Sequence, residues 1–96
     1  MTSITLTSAI DYPIRSLVES ALSNELLLLE SALRQTNVRL ADFERRYQLD
    51  TEQFLRHYAD DEIDEDLETI EWLGEHRMAQ RIQEKIAALK GIHFAH

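Results

Sequence analysis

The side chains able to do chemistry fall into a few groups. The largest is the run Asp60-Asp61-Glu62-Ile63-Asp64-Glu65-Asp66, seven residues with six carboxylates. Carboxylates at that density suggest calcium. A calcium loop, however, needs a glycine at its sixth position, and no start within the run places one there. Four histidines are present. A di-iron bundle places a glutamate three residues before each liganding histidine. The residues at that offset from His57, His76, His93 and His96 are Phe54, Leu73, Lys90 and His93, so the pattern fails. Helical ribonuclease toxins that use an Arg-x(4–6)-His pair need an arginine five to seven residues before a histidine, and no histidine here has one. No glycine-rich phosphate loop or Ser-His-Asp motif supports catalysis. Cysteine is absent, which removes disulfides, thiolate metal sites and thiol nucleophiles. These residues predict a protein that is not an enzyme and carries no cofactor or metal.

What remains for the acidic run is binding. The formal net charge is −8, and one segment accounts for it. Between Arg56 and Arg77 stand nine acids and no lysine or arginine. The rest of the chain has nine acids against ten bases, a net of +1. Such a field repels nucleic acid and anionic lipid and attracts a basic protein. The arginines Arg39, Arg45 and Arg46 are interleaved with acids and read as a solvated helix face. Asp60, Asp61, Asp64, Glu65, Glu68 and Glu71 are the expected charged contacts. Phe54, Tyr58 and Trp72 are the expected apolar ones. Trp72 has a plainer reading, as a lid over the helix core.

Elements must hold these groups in place. Two glycines and one proline in 96 residues supply few turns, so long helices are expected. Pro13 suits a first helical turn. From Ile14 to Tyr47, the positions Leu22, Leu26, Leu29, Leu33, Thr36, Leu40, Phe43 and Tyr47 are spaced 4, 3, 4, 3, 4, 3, 4. That is a heptad seam with one polar member. A second line, Leu17, Ala21, Leu28 and Ala32, lies beside it and calls for another neighbour. Asp50 with Gln53 forms a capping box for a short helix over residues 51–58. A last helix is expected over about 62–90, with Ile63, Leu67, Ile70, Gly74, Met78, Ile82, Ile86 and Leu89 on its buried side, Leu73 and Ala79 widening it, and Gly91 at its end.

The fold class expected is all-α: a long antiparallel, coiled-coil-like hairpin with a short helix at the bend, dimerising into a helical bundle. Residues 1–12 form an arm, 13–91 the helical domain and 92–96 a flexible tail. Leu22, Leu26, Leu28, Leu29 and Leu33 are the expected oligomerisation residues, Leu26–Leu29 being four consecutive leucines that one neighbour cannot cover. There is no apolar run long enough for a membrane span, and Met1–Leu6 does not read as a signal peptide. A cytoplasmic location is expected.

Phe43-Glu44-Arg45-Arg46-Tyr47, then Thr51-Glu52-Gln53-Phe54, then the acidic run, Glu71-Trp72 and a closing amphipathic helix resemble a pattern in small prokaryotic antitoxin-like proteins of toxin–antitoxin operons. The resemblance covers residues 40–90. It implies a protein encoded beside a small toxin-like partner, which it neutralises by masking a basic, nucleic-acid-acting surface. The alternative is a self-associating coiled-coil scaffold or subunit without a toxin, and a third reading is an acidic mimic of nucleic acid.

Overall fold

The computed structural model describes residues 2–4 and 13–94. Three helices make up most of it: α1 (Ile14–Tyr47), α2 (Thr51–Ala59) and α3 (Leu67–Lys90). Helices α1 and α3 run antiparallel as a hairpin with α2 at the bend, in a body 60 × 21 × 17 Å. Two three-residue strands, β1 (Thr2–Ile4) and β2 (Ile92–Phe94), pair in parallel with Thr2 opposite Ile92. Residues 1 and 5–12 of the expected arm and 95–96 of the expected tail lie outside the described residues. Ile92–Phe94, expected in a flexible tail, has a partner strand.

Local chemistry explains each boundary. Helix α1 starts behind Pro13 and stops at Gln48, whose left-handed conformation (φ 54°) ends the helix while its N–H bonds Glu44 O. The Gln48 amide Nε2 also donates to Arg45 O at 2.8 Å, satisfying a carbonyl the helix leaves unpaired. Helix α2 begins with the expected box: Asp50 Oδ1 accepts from Gln53 N at 2.8 Å and Gln53 Oε1 accepts from Asp50 N at 3.1 Å. Helix α3 begins at Leu67, five residues after the expected start. Its cap is a second box, Asp66 with Thr69. The acids at 62–65 look favourable for a helix N-terminus, but Asp61 takes a left-handed conformation (φ 57°) and the chain stays irregular through Asp66.

The core sits at the bend. Trp72 and Phe54 are 1 % exposed and Phe43 8 %. Leu40, Leu49, Leu55, Tyr58, Ile63 and Leu73 pack round them. The α1 seam is as expected up to Phe43, with Thr36 and Phe43 buried and Leu22, Leu26, Leu29, Leu33 and Leu40 half-buried, while its last member, Tyr47, is exposed. The buried side of α3 differs from the expected one in its first half. Thr69, Trp72, Ala79 and Ile82 are buried, while Leu67, Ile70, Gly74 and Met78 face out. The exposed line is the more apolar of the two. Trp72 wins the interior because the flat aromatic faces of α1 and α2 leave a slot that aliphatic side chains would fill poorly.

Candidate functional site

The slot is built from one aromatic residue of each helix, with α1 supplying a second. The Phe54 ring lies 4.0 Å from Trp72, centroid to centroid, at an interplanar angle of 4°. Phe43 and Tyr47 each lie 5.5 Å away, at 7° and 26°. The indole Nε1 donates to Thr51 Oγ1 at 3.0 Å, and that hydroxyl donates to Glu44 Oε2 at 2.9 Å. The same carboxylate oxygen accepts from Thr51 N at 2.7 Å, satisfying an orphan donor of the first turn of α2. A single polar chain thus ties α3, α2 and α1 where the hairpin turns. At 1 % exposure Trp72 and Phe54 cannot touch another molecule without opening this slot, which corrects their expected role as partner contacts. They fix the shape of the bend.

Bend shape decides which acids are free. Five of the nine acids between Arg56 and Arg77 are used within the chain. Glu62 Oε2 lies 2.7 Å from His57 Nδ1. Glu65 Oε1 accepts from the Tyr58 hydroxyl at 2.8 Å. Asp66 caps α3. Glu68 accepts from both Arg46 and Tyr47. Glu75 pairs with Arg39 at 3.4 Å. Among the described residues the carboxylates of Asp60, Asp61, Asp64 and Glu71 have no partner. The hydrogen bonds to Glu65 and Glu68 favour the neutral phenols, so the hydroxyls of Tyr58 and Tyr47 titrate above their ordinary range, burial and the negative charge nearby adding to the effect.

The structure therefore brings together part of the expected set. Tyr58, Asp61, Asp64 and Glu65 line a depression of about 290 Å³ with Ile63. Asp60 precedes it and is exposed. Glu71 stands apart, in a groove of about 600 Å³ between α1 and α3 with Arg39, Asp42, Phe43, Arg46, Gly74, Glu75 and Met78. Glu68 is turned toward α1. Ile63, expected on the α3 core line, does pack against the core but from the irregular segment before α3, and it also lines the acidic depression. Its place among six carboxylates was the available signal. Arg46 lies over the Phe43 ring, with Cζ 5.4 Å from the centroid, so this arginine is held down by the core and is not a free cation.

Among the oligomerisation residues, Leu22 and Leu26 lie beside Leu89 and Ile92, and Leu29 and Leu33 are in phase with them on the seam. Leu28 alone of the five is exposed, at 67 %. Among the described residues no group of three acidic or histidine side chains is placed to hold a metal, and no helix is long and apolar enough to cross a membrane. No family model, curated protein or solved structure matches this chain.

Proposed function

We propose that the chain is a binding protein without catalytic activity, and that the acidic bend docks a basic partner protein. The observation that carries the reading is the inequality among the acids. The carboxylates of Asp60, Asp61 and Asp64 are exposed and make no ion pair or hydrogen bond among the described residues, while neighbours at 62, 65, 66 and 68 are tied down within the chain. Unpaired like charges side by side repel one another, and a partner's cations would relieve this. Ile63 and Tyr58 line the depression beside Asp61, Asp64 and Glu65, and both pack against the stacked core.

The resemblance over residues 40–90 narrows the partner to a toxin-like protein whose basic, nucleic-acid-contacting surface is masked on binding. Co-expression with the product of the adjacent gene tests this. The wild-type chain relieves growth inhibition by that product and co-purifies with it. The triple variant Asp60→Lys, Asp61→Lys, Asp64→Lys folds and does neither. A harmless neighbour that fails to bind contradicts the antitoxin reading.

A further inference from the structure

The groove between α1 and α3 holds an unbalanced charge. Its lining carries three acids, Asp42, Glu71 and Glu75, and two cations, Arg39 and Arg46. Both cations are engaged. Arg46 is held by Glu68 and lies over the Phe43 ring, and Arg39 pairs with Glu75. Asp42 is engaged by Arg45 at 3.1 Å. Glu71 is exposed and has no partner among the described residues. One turn further along α3, Glu75 Oε2 is buried and has none either. Gly74 lies between the two and lines the same groove, and a Cβ there would meet nothing within 4 Å. Met78, 47 % exposed, follows on the next turn.

We infer that this groove is a binding site for one arginine side chain of a basic protein, its guanidinium on Glu71 and Glu75 and its aliphatic stem along Gly74 and Met78. The charge count sets sign and number, since one unopposed carboxylate attracts one cation. Spacing favours a planar fork. Residues four apart share a helix face with Cβ atoms about 5–6 Å apart. A guanidinium carries its N–H donors in one plane, so it can take Glu71 as a bidentate pair and still reach Glu75. A lysine ammonium is a point charge without that span. Burial supplies the drive at Glu75, because an enclosed acceptor without a partner is costly. Arg39 does not remove that cost. It reaches only Oε1, at 3.4 Å, from a side chain 58 % exposed. A contact so long and so exposed is weak, and it yields to a guanidinium that bonds the second oxygen. Gly74 supplies the room. A glycine inside a helix is unfavourable relative to alanine, and close approach of a ligand accounts for it. No lining residue belongs to the 60–66 loop, so the site does not rest on docking at the acidic bend.

Amide nitrogen–proton NMR spectra of the full chain, titrated with N-acetyl-arginine methylamide, test the site. The two glycines make an internal control, Gly74 in the groove and Gly91 about 25 Å further along α3. The Gly74 and Met78 amides are expected to shift saturably and Gly91 to stay still. N-acetyl-lysine methylamide at equal ionic strength binds more weakly. Glu71→Gln weakens the arginine probe by about threefold or more. Gly74→Leu fills the groove and abolishes the response at Met78 with thermal unfolding still cooperative, since its side chain enters open space. The Asp60→Lys, Asp61→Lys, Asp64→Lys variant binds the arginine probe as the wild type does, so failure of docking at the bend leaves this result standing. Shifts that never saturate, an equal response to the lysine probe, loss of binding in the triple variant, or binding indifferent to Glu71→Gln and Gly74→Leu overturns the inference.

Discussion

Trp72 contributes both apolar area and one hydrogen bond, and the two are separable. Trp72→Ala empties the slot between Phe43 and Phe54 and is expected to cost about 3–5 kcal/mol, read as a shift of the urea midpoint. Thr51→Val preserves shape but strands the indole N–H, at a cost of about 1–3 kcal/mol. If Thr51→Val is neutral, the polar chain from Trp72 through Thr51 to Glu44 does not stabilise the bend. The tyrosines give a test by pH. Both phenols are neutral donors in the folded state and titrate above their ordinary value of 10.0. Their contribution is complete below pH 10.0 and disappears as pH rises through the elevated folded values. Unfolding free energy should therefore decline above pH 10.0 in the wild type, and decline less in the Tyr47→Phe, Tyr58→Phe double variant. An identical decline in both contradicts this account. None of the hydrogen bonds around Trp72 and the tyrosines was legible in the sequence, since Trp72 and Thr51 stand 21 residues apart and nothing in either residue names its partner.

The elements differ in how openly the sequence declares them. Helix α1 was read to its ends because Pro13 and the break at Gln48 are unambiguous, and the Asp50–Gln53 box because a reciprocal cap has a fixed spacing. Helix α3 departs from its expected form in two ways. Its acids suggested an early start, but the Asp66–Thr69 box set the true one. Its most apolar line suggested the buried face, but that line is Leu67, Ile70, Gly74 and Met78, which stays outside. Periodicity finds a stripe and not its burial, and here a flat aromatic fit decided between two stripes twelve residues long. Gly74 follows from the corrected phase. A Cβ there would meet nothing within 4 Å, so Gly74→Ala is expected to stabilise the protein by about 1 kcal/mol through helix propensity. Asp66→Ala should cost about 0.5–2 kcal/mol by removing a cap. Thermal unfolding of the two variants moves in opposite directions. A destabilised Gly74→Ala would mean that this face is not open.

At the scale of the molecule, the two ends of the hairpin differ in surface chemistry. The aromatic core and the free acids share the bend, while the apolar line of α1 through Leu17, Ala21, Leu28 and Ala32 lies toward the other end of a 60 Å body. Charge count alone located the acidic segment but could not rank its members. Ranking required knowing that His57, Tyr58, Arg46 and Tyr47 lie within reach of Glu62, Glu65 and Glu68, which depends on the turn between α2 and α3. In the proposed docking, long-range attraction by the bend would speed association, an effect expected to weaken with salt. The most direct measurement is calorimetric titration of the purified adjacent-gene product with the wild-type chain and with the Asp60→Lys, Asp61→Lys, Asp64→Lys variant, each checked for an unchanged thermal transition. The account predicts binding by the wild type and at least a tenfold weaker Kd for the variant, about 1.4 kcal/mol or more. Equal affinity in the two would contradict docking through the acidic bend.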